Sequence, residues 1–156
     1  MRLTLMTDYA LRLLMYVARQ PDRLCTIGEV AAAYGISEAH LMKVTHHLGR
    51  AGFLETVRGK GGGMRLALPP AEVNLGEVVR TIEPDFSLVE CFDGGSNGCT
   101  LTGDCLLAGV ISGALAAFLD HLDRHTLADL LQRSPSRGAQ TVRLPRPRPA
   151  RAPQRA

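Results

Sequence analysis

Thr26-Ile27-Gly28-Glu29-Val30-Ala31-Ala32-Ala33-Tyr34-Gly35-Ile36-Ser37 runs directly into Glu38-Ala39-His40-Leu41-Met42-Lys43-Val44-Thr45-His46-His47-Leu48-Gly49-Arg50. Thr26 with Glu29 three residues later forms a capping box: the hydroxyl accepts from the third backbone N–H and the carboxylate reaches back to the first. The box opens a short helix through Ala33. Tyr34-Gly35-Ile36 makes a tight turn, in which Gly35 supplies a positive φ without steric cost. Ser37 caps the next helix, which runs to about Arg50. Two short helices joined by a glycine-containing turn are a helix-turn-helix.

Working outward, Ala51-Gly52 ends the second helix, and Phe53-Leu54-Glu55-Thr56-Val57-Arg58 alternates as a strand. Gly59-Lys60-Gly61-Gly62-Gly63 is a glycine turn, and Met64-Arg65-Leu66-Ala67-Leu68 returns as the second strand before Pro69-Pro70. A helix-turn-helix followed at once by a hairpin is a winged helix. On the N-terminal side, Leu5, Ala10, Leu13, Leu14 and Val17 place a buried stripe on a helix from Leu3 to Arg19, capped by Thr7 or Asp8. On the C-terminal side, Asn74-Leu75-Gly76-Glu77 reads as another capping box and starts a helix to about Ile82. Glu83 to Gly103 is irregular. Asp104 or Cys105 opens a long apolar helix to about His121, and Thr126 caps a last short one. The fold class is therefore mainly α with a small β-hairpin: a winged helix-turn-helix DNA-binding region over 1–82 with its wing at 53–68, a cysteine-bearing loop over 83–105, and a long dimerisation helix with a C-terminal helix over 104–131.

On a wheel of about 100° per residue the helix after Ser37 gathers Leu41, Val44 and Leu48 into a buried stripe. Opposite them lie Ala39, Lys43, His46 and Arg50, with Met42 and His47 at the margins. Cations and hydrogen-bond donors beside a small residue suit a helix that enters the major groove with its N-terminal half. Ser37, Ala39, His40, Lys43, His46 and Arg50 are the candidate contacts from this helix. The wing adds Arg58, Lys60 and Arg65 around a glycine tip fitted to phosphate or to a narrow minor groove. Singly, each of these residues is an ordinary solvated side chain. Their combination on one helix and its adjacent wing points to double-stranded DNA.

Bulk composition agrees. The chain has 156 residues and 46% apolar residues, enough for one core, while aromatics are 4% and Trp is absent, which favours packed helices. The net charge of +3 conceals an asymmetry. Six of the 18 basic side chains and none of the 15 acids lie in 134–156, so the body through Arg133 carries 12 basic against 15 acidic side chains. An acidic body that binds DNA must concentrate its positive charge locally. The Arg/Pro-rich segment 134–156 has no hydrophobic periodicity and is expected to be disordered. No apolar run approaches the roughly 20 residues of a membrane-spanning helix, and the N-terminus does not read as a signal peptide, so a cytoplasmic protein without a membrane partner is expected. There is no nucleophile–base–orienter set, P-loop or dinucleotide fingerprint, which argues against an enzyme.

Cys91, Cys99 and Cys105 fall within the irregular segment, whereas Cys25 stands apart as a buried thiol. A reducing cytoplasm disfavours a disulfide framework, and no C-x-x-C pair marks a structural zinc site. Polar, glycine-rich residues between the three cysteines allow the loop to wrap thiolates around a centre. From spacing alone, an iron–sulfur cluster with one further non-cysteine ligand and a three-cysteine zinc or thiol-redox site both fit.

Met1 to Arg12, Val57 to Leu66, Val89-Glu90-Cys91-Phe92-Asp93 and Thr126 to Leu130 resemble the NsrR family of nitric-oxide-sensing repressors, whose relatives IscR and RirA sense cluster supply or iron. The similarity runs from Met1 to about Leu131 and leaves out the Arg/Pro tail. It implies an iron–sulfur cluster, 4Fe-4S rather than 2Fe-2S, on Cys91, Cys99 and Cys105, with Asp8 of the other subunit as the fourth iron ligand. An acidic residue at this place favours the NsrR branch, because IscR-like proteins use a His just after the third cysteine and Leu106-Leu107-Ala108 stands there. The resemblance also implies a homodimer on a palindromic operator, joined through Leu106, Leu107, Val110, Ile111, Leu115, Phe118, Leu119 and Leu122 of crossed long helices. The implied function is repression relieved by nitric oxide. An iron- or cluster-status regulator and a cluster-free thiol- or zinc-responsive DNA-binding protein are the alternatives.

Overall fold

The computed structural model describes residues 2–92 and 105–132. Helix α1 spans Leu5–Ala18, α2 Ile27–Tyr34, α3 Glu38–Arg50, α4 Leu75–Ile82, α5 Leu106–Asp123 and α6 Leu127–Leu131. Strands β1 (Leu54–Val57) and β2 (Gly63–Leu66) pair antiparallel, with Leu54 opposite Leu66 and Glu55 opposite Arg65. Single 3₁₀ turns occupy Pro70–Glu72 and Glu90–Phe92.

The expected caps form at α2, α3 and α6. Thr26 and Glu29 make both halves of their box, Gly35 ends α2 at φ 64°, and the Ser37 hydroxyl accepts from the His40 N–H. Thr126 and Asp129 make a complete box at α6. Two details differ. Helix α1 is capped by Thr4, whose hydroxyl accepts from the Thr7 N–H, rather than by Thr7 or Asp8. Thr7 is consequently fully buried, and Leu5, expected in the core stripe, is 64% exposed in the first turn. Asn74 caps α4 through its side-chain oxygen, which accepts from the Glu77 N–H, but the expected box is only half formed; the Asn74 side-chain amide separately donates to the Asp123 carbonyl at 2.7 Å, a tertiary contact.

Ala10, Leu13, Leu14 and Val17 of α1 pack with Val30, Leu41, Val44, Leu48, Val78 and Leu127 in one core. Helix α1 is its centre, in contact with α3, α4, α6 and β2. Burial of each such side chain contributes about 1.5–3 kcal/mol relative to exposure, which fixes the attitude of α3 towards the body.

The wing is joined to this core by Cys25. Its N–H donates to the Met64 carbonyl at 2.9 Å and its carbonyl accepts from the Met64 N–H at 2.8 Å, adding a one-residue third strand to the hairpin. Gly63, expected in the turn, is the first residue of β2 because it lies flat against Leu24 and Cys25. A Cβ there would approach the Cys25 carbonyl oxygen to 2.7 Å. Positive φ is instead found at Gly59 and Gly61, at 98° and 78°.

Helix α5 continues two residues past the expected end at His121, because Asp123 is held by α4. Arg80 donates through both terminal nitrogens to the Asp123 carboxylate at 2.6 and 2.7 Å. Gly76 lies directly beneath that carboxylate. The Leu75 N–H donates to the His125 carbonyl at 3.0 Å and the Leu127 N–H to the Val73 carbonyl at 2.8 Å. The C-terminal end of α5 is thereby attached to α4 and the core around α1. The rest of α5 has no buried residue, and Leu106, Leu107 and Val110 are 88%, 62% and 68% exposed. By length and composition its 18 residues suffice to cross a membrane. Counting uninterrupted apolar runs missed this, since Asp120 and Asp123 close the uncharged stretch near the helix end.

Candidate nucleic-acid interface and cysteine segment

Helix α3 divides as its periodicity requires. Leu41, Val44 and Leu48 are fully buried, and Thr45, not expected there, is 7% exposed with its hydroxyl donating to the Met64 sulfur at 3.7 Å. Ser37, Ala39, His40, Met42, Lys43, His46, His47 and Arg50 are exposed. The face expected to meet DNA is open to solvent along its length.

The side chains on that face are not equivalent. The His40 Nδ1 lies 2.9 Å from the Ser37 hydroxyl, and its ring sits 6.0 Å from that of Tyr9, so it is turned back over the helix start. The His46 and His47 rings meet edge to face at 6.1 Å. On the wing, Arg65 is paired with its cross-strand partner Glu55 at 2.7 Å. Lys43, Arg50, Arg58 and Lys60 have no carboxylate partner among the described residues. Exposed cations without local counter-charge are the ones free to displace counterions from phosphate. Between α3 and β1 lies a depression bordered by Met42, His46, Arg50, Thr56 and Arg58, which joins the helix face to the wing.

Of the cysteines, Cys25 is buried under the wing, and burial pushes its thiol pKa up despite nearby Arg23. Cys105 occupies the N-cap position of α5 as a half-buried free thiol with no side-chain capping hydrogen bond. Cys91 lies in the 3₁₀ turn Glu90–Phe92. Cys99 lies outside the described residues, as do 93–104 and the tail 134–156. Among the described residues no three His, Cys, Asp or Glu side chains converge as a metal site. Asp8 sits in the first turn of α1, where its carboxylate pairs with Arg12 at 2.8 Å and is 41% exposed.

One link in this region was not legible in the sequence. The Thr4 N–H donates to Glu83 Oε1 at 2.7 Å and the Thr4 hydroxyl to the same oxygen at 3.3 Å. The first residue of the cysteine segment is thus bound to the start of the helix that carries Asp8. The two residues are 79 apart in sequence and no local pattern connects them. The Arg80–Asp123 pair was missed for the same reason.

Comparison with known proteins gives the arrangement a family. The family described as "Rrf2: Iron-dependent Transcriptional regulator" matches residues 3–133. The HTH-type transcriptional regulator NsrR of Bacillus subtilis is 48% identical over 133 residues, covering 85% of this chain and 91% of that protein. NsrR of Shouchella clausii is 50% identical over 132 residues, covering 84% and 89%. Among solved structures, T. potens IscR is similar with TM-score 0.67 at 24% identity, covering 84% of this chain and 86% of that one. Oxidised CymR of Staphylococcus aureus follows with TM-score 0.70 at 22% identity, covering 87% and 100%. At those identities the solved structures speak to the fold alone, which they share with this chain. These relatives are regulators of transcription and not enzymes. The chain belongs to the Rrf2 family of transcriptional regulators.

Proposed function

We propose that this protein is a cytoplasmic repressor that binds palindromic operator DNA as a homodimer and releases it when nitric oxide reaches an iron–sulfur cluster held by the 83–105 segment. The observation that carries the reading is the position of that segment: it leaves the DNA-binding body at Glu83, hydrogen-bonded to Thr4, and re-enters at Cys105, the cap of the exposed helix α5. Nitric oxide as the signal follows from the resemblance to NsrR, and relatives of that name at 48–50% identity support the resemblance.

The donor set suits the group. Cys91, Cys99 and Cys105 provide three soft thiols, which match iron–sulfur chemistry, and one of them is a half-buried free sulfur at a helix cap. Asp8 of the partner subunit is the proposed fourth ligand. That role requires its exposed pair with Arg12 to open, and such exposed pairs contribute at most about 1 kcal/mol. When bound, the cluster supplies irons that take up nitric oxide. A 4Fe-4S cluster is preferred.

The chain's own residues do the mechanical work. Leu106, Leu107, Val110 and their neighbours on α5 find cover in a second copy of the helix, so α5 sets the separation of two reading heads. Arg80, Asn74 and Asp123 make each head follow the end of its α5. Thr4 and Glu83 make α1 follow the start of the cysteine segment. A two-fold dimer reads half-sites about one helical turn apart. Small changes in the setting of α5 therefore remove base and phosphate contacts at one half-site together, and affinity falls steeply.

The test is operator binding by full-length protein prepared without oxygen, before and after nitric oxide. The expected result is coloured protein that binds tightly and loses affinity on exposure, with colour and response both absent in Cys99→Ala. Unchanged affinity after nitric oxide removes the sensor reading. Colourless protein that binds DNA and responds to thiol oxidants or zinc favours the cluster-free alternative.

A further inference from the structure

We infer that Met42 is a specificity-determining residue: its side chain, uncovered in the first half of the recognition helix, packs against the 5-methyl group of a thymine in the major groove of the operator. The inference rests on the DNA-binding reading and goes beyond it by assigning a base. Met42 is 55% exposed, although the core stripe of α3 is complete with Leu41, Val44 and Leu48. Exposed helical positions are served equally well by Lys, Gln or Glu in helix propensity, so neither burial nor propensity accounts for a methionine here.

Its neighbours define what it meets. His46 and Arg50 stand one and two turns further along the same side of α3, and Lys43 is Met42's neighbour in the chain; Lys43 and Arg50 are cations without a carboxylate partner among the described residues. The depression beside it leads to Arg58 on the wing. Ile27 and Leu54 border the same depression, so Met42 sits where an apolar floor meets a rim of cations, a setting that suits an apolar group carried on a polyanion. The edges of bases in the major groove are hydrogen-bond donors and acceptors with one apolar exception, the thymine methyl. An unbranched, polarisable thioether adapts to such a group without needing one fixed rotamer. Thr45, the adjacent residue with a methyl and a hydroxyl, is buried against Met64 and is not available for the task.

The experiment uses the full-length protein, prepared without oxygen, to select duplexes from a random pool. The selected duplex is then remade with deoxyuridine in place of each thymine in turn, which deletes only the methyl. The wild-type protein is expected to lose about fourfold in affinity at one thymine of each half-site, the amount that one buried methyl group supplies. Met42→Ala is expected to lose a similar factor on the thymine duplex and nothing further on the uracil duplex, whereas Met42→Leu keeps the discrimination. Met42 is exposed and Ala is a strong helix former, so an unchanged melting curve shows that the variant is folded. Three results overturn the inference: half-sites without thymine, indifference of the wild type to uracil at every position, or a uracil loss that persists in full in Met42→Ala. Failure to select any duplex is a different outcome, since it defeats the DNA-binding reading and this inference with it.

Discussion

Replacing Gly63 by alanine tests whether the wing is a flexible glycine flap or a part of the core. The residue opens β2 and faces the Leu24–Cys25 backbone. An added Cβ comes 2.7 Å from the Cys25 carbonyl oxygen, 3.0 Å from the Leu24 Cβ and 3.2 Å from the Cys25 carbonyl carbon. The nearest obstacle is main chain, so no rotamer change relieves it. Relief requires moving Cys25 away from β2 and losing its two hydrogen bonds with Met64, at 2.9 and 2.8 Å. With about 0.5–1.5 kcal/mol for each bond, the expected destabilisation is about 1–3 kcal/mol. Cys25 and Met64 are 0% and 1% exposed, and any water admitted between them adds to the loss. Urea unfolding of the anaerobic protein measures it as a lower midpoint at unchanged slope. Gly49→Ala is the control, because its Cβ meets nothing closer than the Leu54 carbonyl oxygen at 3.8 Å and a helical glycine gains about 0.5–1 kcal/mol on becoming alanine. A Gly63→Ala protein within about 0.5 kcal/mol of the wild type refutes the reasoning and returns the wing to a loose flap; the threshold is the ordinary range for surface changes.

Lys43→Ala, Arg50→Ala, Arg58→Ala and Lys60→Ala are each expected to reduce the slope of log affinity against log salt by about 1, while Arg65→Ala reduces it less because Arg65 is already paired with Glu55; fluorescence anisotropy titrations across salt concentrations decide this. Cys25 should resist alkylation at neutral pH until the protein is unfolded, since burial both covers the thiol and raises its pKa; mass spectrometry of the labelled native protein reads it, and rapid native labelling of Cys25 contradicts its packing. Acid should loosen two joints. The Thr26 N–H, aided by Arg23, holds the Glu29 carboxyl below its usual range, and Arg80 does the same for Asp123. A carboxyl depressed in the folded state stabilises the protein above its unfolded pKa, near 4 for these residues, and that contribution is lost as pH falls through the folded value. The melting temperature should therefore drop as pH is lowered from about 4.5, and the drop should be shallower in Arg80→Gln, which lacks one of the two joints.

Much of the reading head was legible because its determinants are local. Thr26 with Glu29, Gly35 with its left-handed turn, and Ser37 lie within a few residues of the helix ends they define. Period then separated Leu41, Val44 and Leu48 from the solvent face. The same locality explains the errors at Thr4 and Asn74. Thr4 and Thr7 both offer hydroxyls to the start of α1, and Glu83, distant in sequence, binds the first of them. Asn74 had the composition of a box, but only its cap half forms, and its side-chain amide reaches the Asp123 carbonyl, a contact no local pattern announces. The exposed face of α3 also proved uneven in a manner that no helical wheel expresses, with His40 folded back towards Tyr9 and Thr45 drawn under the wing.

What the amino-acid order decided alone was the type and succession of the elements, the solvent face of α3 and the apolar character of α5. These depend on caps, turns and periodicity, which act over one or two helical turns. Tertiary structure decided which glycine of the wing is a turn and which is packed, that Cys25 extends the hairpin, that Arg80 and Asp123 fasten the long helix to the body, and that Arg65 alone among the wing's cations has a carboxylate neighbour among the described residues. Each of those joins atoms whose proximity is created by burying the core around α1, so the information does not exist in any window of sequence short enough to carry a pattern.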